Sequence, residues 1–383
     1  MKILISIDSF KGSLTSVQAG DACAAGIRCV FPEAEISVRP LADGGEGTTE
    51  ALVSGLNGTY QTVTVPDPLG RPISAQYGIL SDQTAVIEMA AASGLPLLHP
   101  SERDPMRTTT YGFGEMIRDA IRQGCRRFIL GIGGSATNDG GAGCLQALGF
   151  DLLNAQGEPI SAGAQGLSEL AHVSDAHILP ELRECTFYVA CDVTNPLCGE
   201  QGCSAVFAPQ KGADAAMIRE MDDTLARFAA VTRTIRPDAD ANAPGAGAAG
   251  GLGFGLMAYL RAELTPGVEL ILRETGLAAA IQEADLVITG EGCLDAQTAM
   301  GKAPAGIAAL AKQYGKPVIA FCGAAGEGAK ACHAVGIDAY FPILRRVEPL
   351  EAALDPANAA QNLTDTAEQA FRLIRMMHAF DIS

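Results

Sequence analysis

Residues 131 to 143 read Gly-Ile-Gly-Gly-Ser-Ala-Thr-Asn-Asp-Gly-Gly-Ala-Gly, six glycines in thirteen positions directly after Phe128-Ile129-Leu130. An apolar strand that ends in glycines and then opens a helix turns its free N–H groups outward. Together with the helix dipole, those groups form a backbone cradle for an anion. The order strand, glycine loop, helix points to an α/β protein, and the rest of the chain repeats it. Residues 2–7 are a mostly apolar strand candidate, a polar Ser-Leu-Thr-Ser turn opens a helix over 14–30, and 36–41 is a second strand. Such a unit begins a parallel sheet, whose right-handed crossovers gather loops at the strand C-terminal ends. Asp8 and Asp43 fall at two such ends.

The same rhythm returns late, with strands at 286–288, 318–321 and 339–341, a glycine turn after the first, helices at 303–314 and between the last two strands, and a closing helix over 359–378. In between the pattern changes. Alternating strands are expected near 59–65, 73–79 and 84–89, then helices at 110–123 and 214–231, which reads as an inserted second domain. The Ala- and Gly-rich stretch 239–255 suits a linker or a ligand loop equally.

The anion must be captured locally, because the formal charge is −17 and nucleic acid or an anionic membrane would need clustered Lys and Arg. The apolar opening is too short for a signal peptide, and no apolar run reaches the length of a membrane span. Eleven cysteines without paired spacing fit reduced thiols and a cytoplasmic location, and the Cys185, Cys191, Cys198, Cys203 group matches no common zinc pattern.

Lysine is scarce, seven against twenty arginines, and three of the seven lie beside glycine in motif-like loops, Lys11, Lys211 and Lys302, whereas Lys316 in Gly-Lys-Pro reads as an ordinary surface lysine. In so acidic a chain, lysines beside bare backbone are candidates to neutralise a transferred phosphate. Acids cluster likewise: Asp8, Asp43, Glu46, Asp139, Asp192, Glu291 and Asp295 border glycine or follow a strand. Phosphoryl transfer needs carboxylates to hold Mg²⁺ and orient the attacking hydroxyl, and cations with N–H groups for the γ-phosphate. Acids beside glycine also make turns and N-caps.

Two near matches compete. Gly301-Lys302-Ala303 lacks the earlier glycine and the following hydroxyl of a P-loop. Gly131, Gly133 and Ala136 fit the dinucleotide pattern, with Asp151 about twenty residues on, so a NAD-dependent dehydrogenase is a rival reading. The five histidines form no metal or triad pattern, which leaves a histidine-based hydrolase little support.

With Asp8-Ser-Phe-Lys-Gly-Ser-Leu, Leu41-Ala-Asp-Gly-Gly-Glu-Gly-Thr, the 131–143 segment, Asp192-Val-Thr-Asn-Pro-Leu-Cys-Gly, Pro209-Gln-Lys-Gly-Ala and Gly290-Glu-Gly-Cys-Leu-Asp-Ala-Gln-Thr in view, the chain closely resembles the bacterial type I glycerate kinases, from Asp8 to beyond Lys302. The resemblance implies ATP-dependent phosphorylation of (R)-glycerate, which is D-glycerate, usually giving 2-phosphoglycerate. It also implies a flavodoxin- or Rossmann-like parallel-sheet domain, 1–60 plus 280–383, interrupted by a second α/β domain with a mixed sheet, 61–279. Glycerate and ATP would meet in the cleft between the domains. The 3-kinase regiochemistry is the alternative, since the two hydroxyls sit on adjacent carbons.

The residue set that follows has Asp8, Lys11, Asp192 and Asp295 as catalytic groups, Asp192 and Asp295 also holding Mg²⁺. Gly133, Gly134, Ser135, Asn138, Gly290, Glu291, Gly292 and Lys302 would bind ATP. Asp43, Arg71, Arg107, Asn195 and Lys211 would bind glycerate, the arginines as partners for its carboxylate. Thr137 and Asp139 complete the polar part of the glycine segment, whose Ser135, Thr137, Asn138 and Asp139 suit either the nucleotide or glycerate. The chain departs from the resembled pattern at Cys293, where a basic residue is expected. A monomer or homodimer is expected, with no nucleic-acid or membrane partner.

Overall fold

A computed structural model describes the chain apart from Asp43, Glu46 and residues 381–383, together with the side chains of 378–380. Asp43, expected to touch substrate, and Glu46 therefore lie outside the described residues. The backbone separates into two compact units, the first made of Met1–Asp43, Glu50–Gly55 and Val268–Ser383, the second of Gly44–Thr49 and Leu56–Gly267.

The first unit is built on five parallel strands in the spatial order Ala339–Pro342, Val318–Ala325, Leu286–Leu294, Lys2–Ile7, Glu35–Val38. In the unit's own chain order this is 2-1-3-4-5, the flavodoxin-like arrangement. Helices cover a parallel sheet on both faces, which is why Ile3, Leu4, Ile5, Val287 and Ile288 are all buried and read as apolar runs rather than alternation. Helix Ser16–Arg28 begins two residues later than periodicity suggests. Leu14 is used in a bridge to Phe10, and Thr15 caps the helix reciprocally with Gln18. That helix packs on the C-terminal helix Pro356–Phe380 so closely that a Cβ at Gly26 would lie 2.1 Å from the Thr364 carbonyl oxygen.

Two expectations for this unit need correction. The glycine turn after residue 288 is not a turn: the strand continues to Leu294, because its ladder with Val318–Ala325 extends through Glu291↔Cys322 to Leu294↔Ala325. Gly290 is required there, since a Cβ would meet the Phe321 carbonyl oxygen at 1.9 Å. Between the last two strands stands only a short 3-10 helix, Ala329–His333.

The second unit has a six-stranded mixed sheet, ordered Glu263–Thr265, Thr186–Ala190, Arg127–Gly131, Thr84–Glu88, Pro72–Ile79, Thr59–Pro66. The first four run parallel and the last two are antiparallel additions. Phe128 and Phe187 stack across neighbouring strands at 4.8 Å in a core capped by helix Tyr111–Arg122. The stretch 239–255 is not a linker. Ala246, Ala248, Leu252 and Phe254 are buried, and helix Ala248–Leu260 contains three left-handed residues, Ala249, Gly250 and Gly251. Gly250 is forced by close approach, for its Cβ would lie 2.1 Å from the Thr137 carbonyl oxygen. Among the described residues no helix is long and apolar enough to cross a membrane.

Candidate active site

In a sheet of order 2-1-3-4-5, ligands bind where the strand order reverses, beyond the carboxyl ends of the first and third strands. The pairing of these two strands stops at the register partners Ile7 and Gly290, beyond which lie Asp8 to Lys11 on one side and, on the other, the last residues of the third strand and the turn after it, Glu291 to Asp295. Asp8 is buried and its Oδ1 accepts the Ser9 N–H at 2.7 Å. Phe10 and Leu14 exchange backbone hydrogen bonds of 2.8 and 3.0 Å, which closes a tight loop with Lys11 exposed and Gly12 left-handed at its tip.

On the other side the Glu291 carboxylate is largely buried. Its Oε1 accepts from Thr298 Oγ1 at 2.6 Å, and its Oε2 lies 4.0 Å from Lys302 Nζ. Asp295 Oδ1 accepts the Gln297 and Thr298 N–H groups at 2.8 and 3.2 Å. That turn fixes the carboxylate's orientation and leaves Oδ2 without a partner among the described residues. Lys302 stands at the N-cap of helix Ala303–Gln313, where the dipole adds to its charge. Asp8, Lys11, Glu291, Gly292, Asp295 and Lys302 line one cavity of about 410 Å³ together with apolar side chains that include Ile343, Leu344, Leu350 and Leu354. Cys293 lines it too, so its cationic groups are Lys11 and Lys302.

The second unit carries the glycine cradle. Gly133 and Gly134 are exposed at the end of strand Arg127–Gly131, and their N–H groups have no acceptor among the described residues. Behind them the loop is solidly anchored. Ala136 N–H donates to the Ser93 carbonyl at 3.0 Å and Asn138 Nδ2 to Ser204 Oγ at 2.9 Å. Asp139 is fully buried: its Oδ2 accepts from the Thr110 N–H and hydroxyl at 2.8 and 2.9 Å, and its Oδ1 from the Gly141 N–H at 3.1 Å. Burial pushes its carboxyl up from the ordinary value while these donors pull the other way. Thr137 Oγ1 and Asn138 Oδ1 are buried with no hydrogen-bond partner among the described residues.

The remaining expected residues of this unit divide. Lys211 lies beneath the loop, 1% exposed, with Nζ donating to Ser135 Oγ at 2.8 Å and to the Thr137 carbonyl at 2.6 Å. Desolvation lowers its pKa to about 8, against weaker upward pulls from Cys203 and Asp139. Asp192 is exposed just beyond strand Thr186–Ala190, and its Oδ1 accepts the Gly267 N–H at 2.9 Å. Asn195 Nδ2 donates to the Gln201 carbonyl at 2.8 Å. Arg71 is held by Asp67 at 2.6 Å and Glu102 at 2.7 Å, which raise its pKa further. Arg107 is exposed and has no side-chain partner among the described residues.

Ser204, Thr110 and the apolar cavity wall around Leu350 are reached only through the fold. A serine in Gly-Cys-Ser and leucines in a polar C-terminal stretch carry no local pattern that marks a site. The dinucleotide reading does not fit the backbone: after Gly131 the chain folds inward through buried Ala136 to Asp139, and the helix it would need begins only at Ala142.

A switch-point cavity lined by carboxylates and lysines, and a second α/β unit with a free glycine cradle, define a phosphotransferase. The chain belongs to the glycerate kinase family, whose family profile matches residues 3–375. It is 47% identical over 382 residues to a glycerate kinase of Halalkalibacterium halodurans, covering 100% of this chain and 99% of that one. It is 45% identical to the glycerate 2-kinase of Escherichia coli K12, covering 96% and 98%. A crystal structure described as glycerate kinase 2 from Salmonella typhimurium LT2 superposes with a TM-score of 0.91 at 44% identity and 99% coverage of both chains.

Proposed function

We propose that this kinase transfers the γ-phosphoryl group of MgATP to D-glycerate and releases ADP and 2-phosphoglycerate. The observation that carries the reading is the first unit's cavity, where two lysines and three acids share one wall with apolar side chains. Such a mixture suits a nucleotide, since the base needs an apolar surface and the phosphates need cations and N–H donors. The glycine cradle, built wholly in the second unit, then serves glycerate, its Gly133 and Gly134 N–H groups and Ser135 facing an anionic carboxylate.

Lys11 and Lys302 neutralise charge on the phosphates, and the dipole of helix Ala303–Gln313 assists. Asp8 orients Lys11's loop through its own bond to Ser9. Asp192 orients or deprotonates the attacking hydroxyl. Asp295 suits a Mg²⁺ ligand: one carboxylate oxygen is pinned by two backbone donors, the other is presented outward, and Mg²⁺ usually takes only one or two carboxylates with phosphate oxygens and water. Bound there, the ion would supply positive charge against the developing negative charge of the transferred phosphate. The 2-position as acceptor rests on the printed name of the Escherichia coli relative. Phosphorus NMR of the product tests it: the coupling pattern of a phosphate on a CH carbon is expected, and that of a phosphate on the CH₂ carbon contradicts it.

A further inference from the structure

We infer that Lys211 is a positioning residue, whose buried ammonium holds the Gly133–Asn138 loop in the shape that binds glycerate. The inference rests on the reading that this loop serves glycerate.

Burying an ammonium is costly, and a buried lysine is ordinarily offset by a bonded carboxylate. Lys211 has none within bonding distance among the described residues: the oxygens it bonds, Ser135 Oγ and the Thr137 carbonyl, are neutral and belong to one loop. Two donors converging on oxygens two residues apart bend the backbone around Ala136. Ala136 is tied on its other side to Ser93. The same short segment, Cys203 to Lys211, also supplies Ser204, which holds Asn138. Every anchor from this segment therefore falls on the loop's inner face, and the exposed Gly133 and Gly134 are left with their N–H groups available. An ammonium placed this way shapes a binding surface that it does not itself reach.

The charge matters because an ion-assisted hydrogen bond is about twice as strong as a neutral one. Deprotonation leaves an amine with two hydrogens and weaker bonds, so the loop loosens as pH rises through about 8. Among the described residues, the titratable groups facing Lys211 are Asp139, which directly follows the loop, and Cys203, whose thiol burial pushes up to about 11. The Cys203 thiol therefore titrates well above this window.

Steady-state kinetics of the full chain from pH 6.5 to 9.5 test the inference. In the wild type the KM for D-glycerate should rise roughly tenfold across that range with an inflection near pH 8, while the KM for ATP stays within about twofold. Lys211→Met should show a raised glycerate KM at every pH and no inflection. Ser135→Ala removes one bond that favours the charged form, so its inflection should move to lower pH. A Lys211→Met enzyme with the wild-type glycerate KM, or one whose KM for ATP rises instead, overturns the inference. Should that variant fail to fold, by circular dichroism, the Ser135→Ala profile decides, and an inflection unmoved from the wild type overturns it. No glycerate-dependent ADP from the wild type would overturn the proposed function and this inference with it. Normal wild-type turnover with no pH effect on glycerate KM would overturn the inference alone.

Discussion

Asp295 and Lys302 show how much of the proposed chemistry rests on single side chains. Asp295 presents one oxygen outward because two backbone N–H groups hold the other. Its replacement by Asn keeps the turn and loses the charge. Asp295→Asn should therefore lower kcat by about a hundredfold or more, the usual scale for an electrostatic group in the transition state, with native far-UV dichroism. Lys302, paired loosely with Glu291 at 4.0 Å, is free to follow a phosphate. Lys302→Ala should raise the KM for ATP about tenfold or more and leave that for glycerate within about twofold. Lys211 adds a stability signature with its own sign. Its pKa in the folded chain, about 8, lies below the ordinary lysine value, so above pH 8 the folded chain sheds a proton that the unfolded chain still holds. Stability contributed by this group therefore rises with pH from about 8 to about 10, by roughly 1.4 kcal/mol per unit at most. Urea unfolding at pH 7.5 and 9.5 checks it. The rise should be present in the wild type and flattened in Lys211→Met, while glycerate affinity moves the opposite way.

At the scale of elements, close approach of backbones sets the tolerances. Helices Ser16–Arg28 and Pro356–Phe380 touch at Gly26, where a Cβ would clash with a carbonyl oxygen that cannot rotate away. Gly26→Ala should cost about 1 to 3 kcal/mol in chemical denaturation, the range of overpacked cores, with no change in KM for either substrate. The cavity's apolar wall offers a complementary probe: Leu350→Asp should weaken ATP and not glycerate, because Leu350 lines the first unit's cavity. Most of this architecture was legible in the chain. Both-face burial made Ile3 to Ile5 and Val287 to Ile288 readable as parallel strands, and the acids and lysines beside glycine marked the sheet's carboxyl ends. What was not legible depended on partners distant in sequence. Gly290 to Gly292 looked like a turn because glycine usually breaks strands, but the ladder to Val318–Ala325 overrides that local preference. The 239–255 stretch suited a linker or a ligand loop equally because its glycines carry no periodicity, yet the left-handed turn at Ala249 to Gly251 packs it against Thr137. Lys211 could be singled out by its neighbours, but nothing local showed that its ammonium is buried under Ser135.

For the whole molecule, the proposed function gives each compact unit one ligand. The cavity proposed for the nucleotide is lined by residues of the first unit, and the glycine loop with Lys211 and Ser204 belongs to the second. Nucleotide binding is therefore expected to survive damage to the loop. Calorimetric titration of MgATP into Lys211→Met should give the wild-type affinity within about threefold, well under the roughly 1.4 kcal/mol that a tenfold change represents. The central claim is transfer from ATP to glycerate, and the most direct measurement is ADP release by the purified chain with ATP, Mg²⁺ and D-glycerate. ADP formation should require all three, be absent when Mg²⁺ is chelated, and match phosphoglycerate mole for mole. ADP formed at the same rate without D-glycerate, or none formed with it, would contradict the account.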